Sequence, residues 1–586
     1  MKKHICYLIA ALFLCSTAQV KVAGFDGMLP DFIHSGADAG AYNKMGQTNL
    51  NDYKLEKSYV QTLDHVTDDE RIYDAGVEED IAREGILYNP HFMLEKVNFE
   101  GNTKIDESEL QHLALEVLGE DVFFDELLEL CSKVTNLYHS KGYLTSYATV
   151  PPQRIVDGVA TIKIVESKVG EMNIEGEKWT REWYLKHIIM GKAGLREGDV
   201  FNAKNLQRAM KEINRESYVQ VQTEVERQED GDENTQITLN VRDRFPVQLG
   251  FAYDDYGRAI TGEQRVSFLV GMHNLTGLGD KIYGGTILSS GSTGWMAGYS
   301  LPVSSYGTRL SFDFSDSNVK LHGIYRPNNV KGNAQSYFTK ITHPLIQTAK
   351  SDLYFYTGYD YVKANTTMYN PYFKMSDYQL NVWRTGLYGM TDDSYGRWIG
   401  SLGIDFGMGG SDKLHSRYDK SFFKMTAGIT RAQRLFSRSM GIIRLNGQYS
   451  PNELFAAEQM QLGGPYTLRG FQPAEVIGDY GFSGTVEYRT PIPLLDKVWP
   501  WLDDRLRLAV FYDFGWVDSH LDVGYPANFL HSVGFGGYLN LTDWLAAQVG
   551  VGFPLQDDYG KHTARFYFSL NSDLDRLIPL RNPEKL

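Results

Sequence analysis

The sequence predicts two small α+β modules in tandem, each β-α-α-β-β, followed by an antiparallel transmembrane β-barrel of about 16 strands. Three observations carry this expectation. First, Val97-Asn98-Phe99-Glu100-Gly101 returns as Met172-Asn173-Ile174-Glu175-Gly176, a shift of 172 − 97 = 75 positions. Second, the C-terminal half alternates: from Arg505 to Val517 the even positions Leu506, Leu508, Val510, Tyr512, Phe514 and Trp516 are apolar, whereas the odd ones include Arg505, Arg507, Asp513 and Gly515. Third, no apolar run beyond the N-terminus approaches the ~18 residues of a spanning helix, so a membrane crossing requires a closed barrel in which every backbone polar group finds a partner. Composition agrees, with 57 glycines, 37 tyrosines and 13% aromatic residues in a chain of 586, too long for one ordinary domain.

The N-terminus reads as a signal peptide over residues 1–18: Lys2 and Lys3, an apolar run Ile5–Leu14, then the small residues Ser16-Thr17-Ala18. The run is too short to anchor the chain, and Leu14 is too bulky for a lipidation site at Cys15. Cleavage would remove Cys6 and Cys15, leaving Cys131 and no possible internal disulfide. Residues 19–91 form an acidic linker, broken by Gly36, Gly40 and Gly46 and charged at Asp68-Asp69-Glu70 and Glu78-Glu79-Asp80. A short helix is expected from Gly76 to Glu84, and no amphipathic helix suited to plugging a pore is visible.

Residues 92–167 make the first module. Asp106 and Glu109 have the spacing of a capping box ahead of an apolar stripe, Leu110, Leu113, Ala114, Val117 and Leu118. Leu127, Leu130, Cys131 and Val134 define a second helix ending near Gly142, which places Cys131 in a core rather than at a reactive site. Strands follow at Tyr143–Val150 and Val159–Val165. Residues 168–242 repeat the order, with Leu206, Ala209, Met210 and Ile213 on one helix face and Tyr218–Arg227 pairing with Gln236–Arg242 across Asp230-Gly231-Asp232. This pair resembles tandem polypeptide-transport-associated (POTRA) domains, the periplasmic modules of outer-membrane translocases. The resemblance implies that a sheet edge binds extended client chains by strand addition.

Residues 243–570 are expected to form the barrel. Leu545, Ala547, Val549, Val551 and Phe553 should face lipid, as should Phe566, Phe568 and Leu570 against Arg565 and Ser569, with a wet lumen on the other face. Turns fall at Asn274–Asp280 and Val303–Gly307.

Between the strands Ser439–Tyr449 and Thr485–Thr490 lies a glycine-rich loop, about 450–484, long enough to suggest function. Its wording, Glu458-Gln459, Leu462-Gly463-Gly464, Leu468-Arg469-Gly470-Phe471, Gly478-Asp479 with Gly481, and then Glu487, is similar to that of two-partner secretion transporters, the haemolysin and filamentous-haemagglutinin secretion family of the barrel-assembly superfamily. Gly279-Asp280 and Leu301-Pro302 also look like that family.

The resemblance implies that the loop folds back into the lumen, with Leu468, Arg469, Gly470 and Phe471 at its tip and Leu462, Gly463, Gly464, Gly478, Asp479 and Gly481 supporting it. Arg469 would pair with Asp513 in the wall motif Phe511-Tyr512-Asp513-Phe514-Gly515, and alternation independently points Asp513 inward. A guanidinium fork suits a carboxylate in a way lysine cannot reproduce, and Phe471 can pack beside it. In a water-filled lumen the pair would contribute only about 0–1 kcal/mol. Residues 571–586 run on as an extension past the last strand, where family members commonly stop at an aromatic. Phe568 is then the internal substitute.

The implied function is translocation of an unfolded exoprotein across the outer membrane of a Gram-negative bacterium. The partners implied are that secreted client, outer-membrane lipid and the barrel-insertion machinery. No Walker loop, His-Glu-x-x-His helix or Gly-x-Ser-x-Gly elbow occurs, so neither an enzyme nor a metal, cofactor or nucleotide-driven site is expected. A net charge of −15 without a basic block argues against nucleic acid as a partner. The alternatives are an outer-membrane assembly factor, which usually carries three or five modules, and a passive porin, for which tandem modules would have no use.

Overall fold

The computed structural model describes residues 91–577, apart from 215–217, 228–233, 305, 349, 415–416, 437, 493–498, 503–504, 521–528 and 556–563. The signal peptide, the linker to residue 90 with the helix expected over Gly76–Glu84, the Asp230–Asp232 turn and the end of the C-terminal extension lie outside the described residues, and His91, expected to end the linker, stands in a strand of the first module. The chain divides into two compact units, with the boundary in sequence between Arg244 and Phe245.

In the N-terminal unit each repeat of the five-residue motif is a strand at the edge of a three-stranded sheet. Lys96–Glu100 runs parallel to Val159–Val165, which pairs antiparallel with Tyr147–Thr149. Lys168–Glu175 likewise runs parallel to Asn234–Asp243, which pairs with Val219–Arg227. The repeated glycine has a backbone reason: Gly101 and Gly176 have φ of +95° and +86°, and a Cβ at Gly101 would sit 2.2 Å from the Ile164 carbonyl oxygen.

Two helices cover each sheet: Glu107–Ala114 and Phe124–Ser140 in the first module, Glu182–Ile188 and Ala203–Asn214 in the second. Leu127, Leu130, Cys131 and Val134 are buried on one face, as the spacing predicts. Burial pushes the Cys131 thiol up to about 12, which removes the thiolate needed for reaction. A water-soluble maleimide is therefore expected to leave Cys131 unlabelled in the native protein and to label it on denaturation, as read by mass spectrometry.

Three expectations change in this unit. Asp106 occupies the N-cap position without a side-chain capping bond, and the Glu109 side chain, the other half of the expected box, pairs with Lys141. The expected strand Tyr143–Val150 shrinks to Tyr147–Thr149, since Tyr143 and Ser146 are tied into the turn after the helix. Asp243 belongs to the second module rather than the barrel: its Oδ2 accepts the backbone N–H groups of Lys178, Trp179 and Thr180 at 3.0, 2.7 and 2.8 Å. A short pairing of His91–Met93 with Asp121–Phe123 was invisible to periodicity, because three residues a side make no pattern.

The C-terminal unit is a closed antiparallel barrel of 16 strands, from Val247–Asp254 to Arg565–Asp573, whose first and last strands pair. No helix is long and apolar enough to cross a membrane among the described residues. Leu508, Val510, Tyr512, Val549, Phe553 and Phe566 are exposed on the outer face, where lipid would cover them. Four consecutive strands between Val330 and Asp412 are 17 to 22 residues long, against the ~9–11 residues a tilted spanning strand needs.

Two corrections concern the barrel. The last strand continues through Asn571, Ser572 and Asp573, which pair with Ala252, Phe251 and Gly250. All three are polar and buried, so alternation could not reveal them. Nor is the interior uniformly wet: Ala334, Val362, Ala364, Tyr378, Leu380 and Val382 form an apolar cluster with Leu454, Phe455, Ala456 and Ala457 of the long loop.

Candidate functional site: the lumen loop and its wall contacts

The loop occupies 450–479 between the neighbouring strands Met440–Tyr449 and Tyr480–Pro491. It ends earlier than the sequence suggested, because residues 480–484 are already wall. Gly481 therefore lies in a strand opposite Val517 rather than in the loop. Met460–Leu462 pairs with Val476–Gly478, pinching the loop into a narrow hairpin-like body with the tip beyond it. Gly463, Gly464 and Gly470 have φ of +110°, +93° and +104°, conformations that L side chains rarely adopt.

The tip is held by Arg469. Its backbone N–H and Nε donate to Asp513 Oδ2 at 3.0 and 2.7 Å, Nη2 donates to Asp513 Oδ1 at 2.8 Å, and Nη1 donates to Glu487. The guanidinium carbon lies 3.4 Å from the centre of the Phe511 ring, in cation–π geometry. Glu487 also accepts from Arg489 Nε at 2.5 Å and the Tyr538 hydroxyl at 2.9 Å. Asp513, Glu487 and Phe511 come from two paired strands, with Glu487 in register with Phe511.

This contact is no exposed ion pair. Arg469 and Asp513 are 8% and 1% exposed. Removing one partner from a buried pair costs about 3–5 kcal/mol, against the 0–1 expected for a solvated one. The correction follows from closure of the wall around the tip.

Leu468 and Phe471 share a buried cluster with Met460, Leu462, Val517 and Leu530. Phe471 thus anchors the tip by packing, and Phe511 takes the place beside the guanidinium that sequence gave to Phe471. Gly515 makes room for the cluster: a Cβ there would lie 3.0 Å from the δ-methyls of Leu462 and Leu468. Gly470 N–H donates to the Tyr567 hydroxyl at 2.6 Å, and that hydroxyl donates to Phe471 O at 3.1 Å. Backbone meets backbone at Gly552, where a Cβ would fall 2.4 Å from Gly470 N.

Asp479 closes the base of the loop. Its Oδ1 accepts Leu454 N–H at 3.0 Å and Gln459 Nε2 at 2.9 Å, and its Oδ2 accepts Ser519 Oγ at 2.8 Å and His520 N–H at 2.9 Å. Gly478 packs against the same segment, since a Cβ would meet Asp518 O at 2.4 Å. Sequence reasoning named Glu487 without assigning it a contact, although its inward place two residues after Thr485 was legible. Phe511 was quoted as motif only, and Tyr567 and Gly552 carried no signal. Among the described residues no group of three or more His, Cys, Asp and Glu is arranged to hold a metal ion.

The comparisons with known proteins agree with this architecture. A family profile described as "Haemolysin secretion/activation protein ShlB/FhaC/HecB" matches residues 233–536, more than half of the chain. A ShlB-type POTRA domain matches residues 92–167, and a POTRA profile described as "Surface antigen variable number repeat" matches 167–244. The outer membrane transporter CdiB of Dickeya dadantii is 24% identical over 509 residues, 82% of this chain and 86% of that protein. The heme/hemopexin transporter protein HuxB of Haemophilus influenzae is 22% identical over 475 residues, 78% of this chain and 82% of that protein. Among solved structures, CdiB from Escherichia coli superposes with a TM-score of 0.71 at 21% identity, covering 90% of this chain and 97% of that one. BamA from Haemophilus ducreyi gives 0.52 at 14% identity, covering 82% and 100%, a likeness of fold. The chain therefore belongs to the haemolysin secretion/activation family ShlB/FhaC/HecB: it is a two-partner secretion transporter of the outer membrane, of the Omp85 superfamily, with two periplasmic POTRA domains ahead of its barrel.

Proposed function

We propose that this transporter receives one unfolded exoprotein, a haemolysin- or haemagglutinin-like adhesin, on its POTRA modules and passes it through the barrel to the cell surface without nucleotide hydrolysis. The observation that carries the reading is the buried seat of Arg469 on Asp513 and Glu487. It holds a long loop inside the lumen at one defined position, a contact that a permanently open solute pore has no need of. Client passage then requires the loop to yield, and folding of the client outside supplies the direction. The edge strands of the two modules, Lys96–Glu100, Tyr147–Thr149, Lys168–Glu175 and Val219–Arg227, are where an extended chain would add as a further strand.

The test is a pull-down of the client with purified transporter. Deleting residues 92–167 is expected to reduce client capture at least tenfold while the barrel still runs as a heat-modifiable band. Undiminished capture would remove the first module from client recognition.

A further inference from the structure

Besides Arg469 and Asp479 the loop carries a third buried charged residue, Glu458, upstream of its tip. Arg384 donates to it from Nη2 at 2.6 Å and from Nη1 at 3.1 Å, and Lys424 Nζ donates to the same carboxylate. Arg384 also reaches Asp360 through Nε at 3.0 Å and Asp405 through Nη1 at 2.7 Å, and Lys424 lies 3.2 Å from Asp405. Asp360, Arg384, Asp405 and Lys424 stand on four consecutive strands. That sector is separated from the strands of Glu487 and Asp513 by Met440–Tyr449. The four residues before Glu458, Leu454 to Ala457, cover the apolar strip of Val362, Ala364, Leu380 and Val382 in the same sector.

Charge counting separates the two attachments. Without Glu458 the four named wall groups remain two acids facing two bases, already in contact with one another. Without the Arg469 side chain the named groups are two acids, Asp513 and Glu487, and one base, Arg489, and Asp513 loses its two guanidinium hydrogen bonds while keeping the backbone N–H of residue 469. A buried carboxylate left so is costly, whereas a neutral, internally paired wall is not. The Glu458 end is thus the one that can let go.

We infer that Glu458 is a second positioning residue, latching the first limb of the loop over the apolar strip independently of Arg469, so that its release uncovers the strip while the tip stays seated. The inference deepens the proposed gating role of the loop. Its readout needs no client, so its failure is separable from failure of the export reading.

The experiment uses the full-length transporter carrying Cys131→Ala and Ala364→Cys, and measures the rate at which a water-soluble maleimide labels residue 364, which is fully buried under the loop. Heat-modifiable migration confirms a folded barrel in every variant. Glu458→Gln is expected to raise the rate at least tenfold, Glu458→Asp to restore most of the protection, and Arg469→Ala to leave the rate within twofold of the parent. An unchanged rate in Glu458→Gln would overturn the latch. Equal exposure in Glu458→Asp would reduce it to packing, and equal exposure in Arg469→Ala would overturn its independence.

Discussion

Replacing Arg469 by alanine is expected to stop export of the client while the barrel still assembles in the outer membrane. The substitution takes the guanidinium from Asp513 in a closed wall and leaves Glu487 with Arg489 and the Tyr538 hydroxyl, at a cost of about 3–5 kcal/mol to the seated loop. At 1.4 kcal/mol per factor of ten, the seated population falls roughly a hundred- to several-thousand-fold against alternatives. The 16 strands keep their own ladder of backbone bonds, so the loss falls on the loop and not on the fold. Lysine should recover only a minor part of the activity, because an ammonium cannot serve Asp513 with parallel Nε and Nη2 bonds, bridge to Glu487 and stack on Phe511 together. Surface immunodetection of the client, alongside heat-modifiable migration of the transporter, separates the two effects. Normal export from Arg469→Ala would sink the assignment.

A comparable loss is expected from a residue far from the loop in sequence, Gly552. A Cβ there would lie 2.4 Å from Gly470 N and 2.5 Å from the Arg469 carbonyl carbon. These are backbone atoms that cannot step aside without lifting the tip from its seat. Two positions earlier on the same strand and face, a Cβ at Gly550 would find its nearest neighbour at 3.6 Å, an ordinary contact. Gly552→Ala should therefore cut export at least tenfold, and Gly550→Ala should leave it within twofold. Equal export from the two variants would show that the tip is not held against this strand during transport.

Much of the architecture was legible because it rests on local period. The alternation at 505–517, the 75-residue repeat and the stripe around Cys131 each report a face buried by geometry that neighbouring residues share. Asp513 was placed inward by alternation and as a partner by resemblance, and the structure brings it to Arg469. The environment of that pair was misjudged: composition says that a lumen faces water, but only the folded wall and loop say how much water remains between them. The Glu109 half of the capping box expected at Asp106 was misread for a related reason, since its carboxylate meets Lys141, 32 residues further along the chain.

The sequence by itself determined which residues alternate, which repeat and where the chain must turn, because those properties depend on backbone period and on the φ angles that glycine allows. Only the tertiary structure decided which wall carbons must be absent at Gly515 and Gly552. It alone decided that Phe511 rather than Phe471 faces the guanidinium, and that Glu458 and Arg469 are held by different sectors of one barrel. Those contacts join residues with no common period, and their energies depend on how completely the closed wall excludes water.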